Sequence, residues 1–174
     1  SHVTSIGSYY LEEDKVKYHW EDWMFEEIME NEVKIEVPEG YIIDEENSTF
    51  ECIKFKKNEV QISKLGSWVL VEHPKYVFTI SDYEDLRTDF DSAFTLAKIY
   101  HYEATIPTRE QWKIIYEHLD EINSLLKNKI EKSFYWTSEE YNSFNSWIIH
   151  MGNSSTFGNN HFSAYRVRPI KNYK

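Results

Sequence analysis

Five apolar residues, Trp112, Ile115, Leu119, Ile122 and Leu126, recur at steps of three and four just after Pro107-Thr108, and no other feature restricts the fold as much. That spacing keeps them on one side of an α-helix, so one face must be buried against a second layer. Pro107 extends the residue before it, Thr108 can accept a backbone N–H as N-cap, and Gln111 three residues on completes a capping box. A second helix is expected just upstream, opened by Thr88 or Asp89 and lined by Phe90, Ala93, Phe94, Ala97 and Tyr100, with its end near Tyr102. Runs of β-branched and aromatic residues flank this pair. Trp68-Val69-Leu70-Val71 and Tyr76-Val77-Phe78-Thr79-Ile80 surround a turn at His73-Pro74-Lys75, and short strands are expected over 133–137, 146–151 and 162–170. Strands, two consecutive helices and strands again describe an α+β fold, with two helices packed on a short-stranded, mainly antiparallel sheet. A doubly wound nucleotide-binding fold, which needs alternating units, is disfavoured.

The first third of the chain reads differently. Trp20, Trp23, Met24, Ile28 and Met29 sit among acidic residues at helical spacing, predicting a short amphipathic helix over 20–31. Val33, Ile35 and Val37 then alternate, Pro38-Glu39-Gly40 interrupts, and a second run ends in Phe50, Ile53 and Phe55, a pattern for a β-hairpin or two short strands. The joint to the rest is expected within 56–66, which divides the chain into a helix-plus-hairpin segment, 1–62, and a second domain, 63–174. No period of 20–50 residues recurs.

Composition narrows the function classes. Across 174 residues, an aromatic share of 17% excludes a disordered linker. Nineteen basic against thirty acidic residues give a net charge of −11, which disfavours nucleic acid and anionic membranes as partners. No window holds eighteen uninterrupted apolar residues and no basic-then-apolar leader opens the chain, so neither membrane insertion nor a signal peptide is expected. Cys52 is the single cysteine, which excludes an internal disulfide and a multi-cysteine zinc site. That fits a reducing compartment, yet bacterial surface proteins also lack cysteines, so a cytoplasmic location and a phage or cell-surface location both stay open, as does the oligomeric state.

Three blocks in the second half carry a resemblance: Ala104-Thr105-Ile106-Pro107-Thr108-Arg109-Glu110-Gln111-Trp112, then Phe134-Tyr135-Trp136-Thr137-Ser138-Glu139-Glu140-Tyr141, then Tyr165-Arg166-Val167-Arg168-Pro169-Ile170. In this order they resemble the LPTxxEW, YWSSxEY and RxVRPV blocks of bacterial C-type-lectin-like domains related to the formylglycine-generating enzyme. The variable proteins of diversity-generating retroelements and several phage or surface adhesins share that scaffold. The resemblance spans about 66–172 and implies a C-type-lectin-like fold. Residues 34–53 look similar to a module attached to many proteins of gut Bacteroides-type bacteria and their mobile elements. Physically the blocks read as scaffold: Tyr135 and Trp136 belong in the core, while Arg166 and Arg168, two apart on a strand, share a face and can pair with Glu139, Glu140 or Glu110.

The enzyme branch of that family depends, as the resemblance implies, on a pair of active-site cysteines, and here the one cysteine lies outside the matching region. The Glu-Pro-Asn, Gln-Pro-Asp and Trp-Asn-Asp triplets that bring calcium to sugar-binding C-type lectins are also missing, so neither a metal nor another cofactor is expected. His19, His73, His101, His118, His150 and His161 show no ligand spacing, although His150 and His161 bracket one polar loop and could meet across it. Asp120-Glu121 and Glu139-Glu140 lack a neighbouring nucleophile and read as surface charge.

The stretch 142–161 combines asparagine and serine with the aromatics Tyr141, Phe144, Trp147, Phe157 and Phe162 in and beside it, the adaptable-plus-rigid mixture of paratopes, while the same asparagines also suit ordinary turns. The candidate binding residues are Tyr141, Asn142, Phe144, Asn145, Trp147, Asn153, Phe157, Asn159, Asn160 and His161. The expected function is non-enzymatic binding of a protein or carbohydrate ligand, as in an adhesin or a diversified binding protein. The alternatives are an enzyme of the formylglycine-generating-enzyme-like class with cysteine-independent chemistry, and a structural accessory protein of a phage or mobile element.

Overall fold

The computed structural model describes the backbone of residues 8–12 and 15–19 and the whole of 36–173. The chain divides into two compact units, 1–59 and 60–174, at a point inside the expected joint. The helix expected over 20–31 and the residues Val33 and Ile35 lie outside the described residues.

The first unit is a four-stranded antiparallel sheet of β1 (Ser8–Glu12), β2 (Lys15–His19), β3 (Tyr41–Ile43) and β4 (Cys52–Lys57), in the order β1-β2-β4-β3. The expected hairpin is β3 with β4, registered Ile43 to Phe55. It opens after a turn where Gly40 has φ of +80°, a conformation that costs an L side chain.

The second unit begins with a strand inside the stretch 56–66, where only a connection is expected. β5 (Gln61–Leu65) pairs with β6 (Trp68–Glu72) through a two-residue turn at Gly66-Ser67, Gly66 having φ of +61°. Only Ile62 of β5 is half-buried, so the strand carries almost no hydrophobic alternation to announce it. β6 runs antiparallel to β7 (Val77–Ser81) as expected, and the turn between them is closed by the His73 ring, whose Nδ1 accepts from Lys75 N–H at 3.0 Å. A short β8 (Leu86–Thr88) leads into α1 (Phe90–Tyr100), where the Asp89 side chain caps Ser92 N–H at 2.8 Å.

The Thr108 capping box forms in both directions, with Gln111 N–H donating to Thr108 Oγ1 at 3.1 Å and Thr108 N–H to Gln111 Oε1 at 3.0 Å. Thr108→Ala should therefore cost on the order of 1 kcal/mol, read from the shift in urea midpoint. The helix it opens is not continuous. α2 (Arg109–Glu117) stops at His118, with φ of −117° and ψ of 23°, and α3 (Leu119–Leu125) resumes. All five stripe residues are buried in spite of the break, and no glycine or proline marks it in the sequence.

Five strands complete the unit: β9 (Phe134–Glu140), β10 (Asn145–His150), β11 (Thr156–Asn160), β12 (Tyr165–Val167) and β13 (Ile170–Asn172). One sheet has the order β11-β10-β9-β12-β8, antiparallel except for β9 beside β12; the other has the order β13-β7-β6-β5. Strand alternation sends neighbours to opposite faces of the five-stranded sheet. Tyr135 and Ile149 join Trp112, Ile115, Ile122, Val71 and Phe78 in the larger core cluster. Trp136, Ile148 and Val167 meet Phe90, Ala93 and Ala97 of α1 on the other side. The scaffold roles expected of Tyr135 and Trp136 follow from this division.

The segment after α3 is pinned by side chains. Asp82 accepts from Asn128 N–H at 2.9 Å, Lys127 N–H at 3.1 Å and the Lys64 ammonium at 2.5 Å. Burial alone would raise the Asp82 pKa, but these donors outweigh it and hold the group at about 2, below its ordinary 3.8. A group depressed in the folded state stabilises the fold above the unfolded pKa, and the contribution fades as pH falls through the folded value. Stability should thus drop between about pH 4 and pH 2 by on the order of 2 kcal/mol from this group. Asp82→Asn should flatten that part of a plot of urea midpoint against pH; an unchanged slope would exclude Asp82 as its source.

Candidate functional site

The β10–β11 hairpin carries most of the candidate binding residues and is registered Asn145 to Asn160 and Trp147 to Gly158. On one face, the Tyr141 ring meets Trp147 edge-on at 4.8 Å and crosses Gly158, where an added Cβ would come within 2.8 Å of the ring. Glycine is needed there for close approach. The Arg109 guanidinium lies 4.2 Å from the centre of the Trp147 ring on the same face. Glu139 clamps Arg109 through Nη2 at 3.0 Å and also accepts the Arg109 backbone N–H at 2.7 Å, at the positive end of α2. Burial would raise the Glu139 pKa, but this side chain and backbone pairing holds it below the ordinary carboxylate range.

The opposite face holds an aromatic ladder. Phe134 lies 6.3 Å from Phe157 and 6.0 Å from Tyr165, which in turn meets Trp136 at 5.0 Å. Phe134 and Tyr165 therefore join the candidate surface although neither is among the ten candidates; their period-two spacing from core residues gives no sign of exposure.

At one end of the hairpin two turns meet, joined by His161 N–H donating to the Phe144 carbonyl at 2.9 Å. Here stand three strongly exposed aromatic side chains: Tyr141 at 55%, Phe144 at 72% and Phe162 at 85%. The asparagines hold the turns. Asn142 Oδ1 accepts from Phe144 N–H and Asn145 N–H, Asn159 Oδ1 from Asn160 N–H, and Asn160 Oδ1 from Phe162 N–H, each between 2.8 and 3.0 Å. Asn153 does the same for Ser155 N–H, but in the turn at the other end. Of the ten candidates, Asn153 alone sits at that far end, about 17 Å away at 3.4 Å per strand residue.

His150 and His161 do not meet, because that same length of strand separates them. His150 packs edge-on against Phe134 at 4.6 Å and accepts Gly152 N–H. His161 bonds Ser146 Oγ at 2.8 Å and stacks on Phe90 at 4.9 Å, tying the candidate surface to the start of α1. Among the described residues, no three His, Cys, Asp or Glu side chains group to hold a metal ion.

The arginine pairing differs from the expected one. Arg166 and Arg168 both turn to Asp85, with Arg168 Nε at 2.9 Å from Oδ1 and Arg166 Nη1 at 3.5 Å from Oδ2. Glu139 is taken by Arg109, and Glu110 accepts from the Tyr76 hydroxyl and from Lys75. Nothing in Tyr83-Glu84-Asp85-Leu86 distinguishes the buried acid from its exposed neighbour Glu84, so the sequence held no sign of this choice.

No protein-family model matches the chain, and no curated protein matches it. Among the described residues no helix is long and apolar enough to cross a membrane.

Proposed function

We propose that this chain is a non-enzymatic binding protein whose C-type-lectin-like scaffold presents the β10–β11 hairpin, and the turns beside it, to a protein or carbohydrate ligand. One observation carries the reading: Tyr141, Phe144 and Phe162 project from turns whose backbone is already satisfied by Asn142, Asn159 and Asn160. Rigid turns lower the entropy lost on binding, and exposed rings offer contact area, so little of the available binding energy is spent on ordering the surface. The ordered motif blocks at 104–112, 134–141 and 165–170 support the scaffold, and a role as an adhesin or a diversified binding protein fits such a surface.

The test pairs a double variant with two ligand panels. Phe144→Ala with Phe162→Ala should leave stability within about 0.5 kcal/mol, since neither ring packs in the core. The same variant should weaken binding at least tenfold to whichever member of an immobilised glycan panel or a set of deglycosylated surface proteins the wild type retains. A folded double variant with undiminished binding would remove this end of the hairpin from the ligand surface.

A further inference from the structure

A second feature lies away from the hairpin, where Glu84 and Asp85 just before β8, Arg166 and Arg168 at the end of β12 and the 127–131 segment line an open cavity of about 480 Å³. Its floor holds two guanidinium groups and one carboxylate. Arg168 is 1% exposed and fully engaged: Nε with Asp85, Nη1 with the Ser81 and Asn128 carbonyls at 3.0 and 2.8 Å, Nη2 with the Lys129 carbonyl at 3.1 Å. Asp85, 5% exposed, is likewise engaged, accepting from Arg168 and from the Tyr135 hydroxyl. Arg166 is different. Its side chain is 28% exposed and lines the cavity, its Nε is buried with no hydrogen-bond partner, and its one ionic contact, Nη1 to Asp85, is stretched to 3.5 Å.

One carboxylate thus serves two guanidiniums, and the floor carries an excess of one positive charge in a half-buried place, in a chain that is acidic as a whole. At the rim, Lys127 and Lys129 face Glu84 and Glu131, two charges against two, so the rim adds no net charge. A half-buried excess charge is costly until an anion approaches, and a guanidinium edge matches the two oxygens of a carboxylate. A dianion would exceed the single excess charge of the floor, and the balanced rim offers nothing to neutralise the remainder.

We propose that this cavity is a binding site for a small monovalent carboxylate, which pairs with the terminal nitrogens of Arg166. The site is independent of the hairpin surface and takes a different class of ligand.

Acetate is the probe. The full chain, labelled with ¹⁵N, is titrated with sodium acetate and separately with inorganic phosphate above pH 8, at ionic strength held constant with sodium chloride. Arg166 Nε–H and the amides of 127–131 are followed. Acetate should shift them saturably, phosphate more weakly, and Arg166→Gln should abolish the saturable shift. Glu84→Gln with Glu131→Gln, both exposed and free of core duty, should tighten acetate by roughly threefold. That arm stands even if Arg166→Gln does not fold. Shifts that grow linearly without saturation, a folded Arg166→Gln chain with unchanged acetate affinity, tighter binding of phosphate than of acetate, or no tightening in the double Gln variant would each overturn the proposal.

Discussion

Asp85→Ala should lower the unfolding free energy by about 3–5 kcal/mol, because it strands a guanidinium that is almost wholly buried. Arg168 would keep its three carbonyl partners at Ser81, Asn128 and Lys129 but lose its counter-charge, and Tyr135 would lose the acceptor for its hydroxyl. Burial, and then the Asp85 carboxylate, hold the Tyr135 phenol well above its ordinary pKa, so the proton stays on Tyr135 in the native protein. Equilibrium urea unfolding followed by tryptophan fluorescence measures the loss. A fall below about 1 kcal/mol would mean that water reaches Arg168 once the acid is gone.

Trp112→Ala should be as damaging, at roughly 3–5 kcal/mol. The indole is fully buried, donates Nε1–H to the Trp136 carbonyl at 3.1 Å and packs against the Tyr135 ring at 4.8 Å. Its removal leaves a large void between α2 and the five-stranded sheet and an unmet carbonyl in β9. Denaturant unfolding again provides the measurement; unchanged stability, with loss of a ligand interaction, would move Trp112 from the core to a site.

The parts of the fold legible in the sequence were those where a local spacing of side chains sufficed to signal structure. Thr108 and Gln111 sit at the spacing of a capping box, and the Trp112 stripe has the period of a helix, so the start and the buried face of α2 could be read directly. The break at His118 could not, since the stripe continues across it without a change of phase. β5 was silent because it buries only part of Ile62, and β11 was silent because Gly158, Asn159 and Asn160 are turn-forming residues that here occupy an edge strand. The candidate site divides in the same way. The exposure of Phe144 follows from its polar surroundings, but the pairing of both arginines with Asp85 rests on contacts between residues some 80 positions apart in sequence, 83 for Arg168, which no local pattern encodes. The asparagine-rich composition fitted turns and binding surfaces alike, and the hydrogen bonds of Asn142, Asn159 and Asn160 assign their side-chain oxygens to the turns.

The eight residues from Tyr165 to Asn172 supply β12, an interior strand of the five-stranded sheet, and β13, an edge of the four-stranded one, while the Thr105–Ile170 bridge joins the same stretch to the entry of α2. On the ribosome, strands β5 to β11 all emerge before the segment that must slot between β8 and β9. The first unit closes within its own 59 residues, but the second has to wait as an unfinished, apolar intermediate until its last strands leave the exit tunnel. A chaperone that holds such intermediates would therefore meet this protein through the second unit.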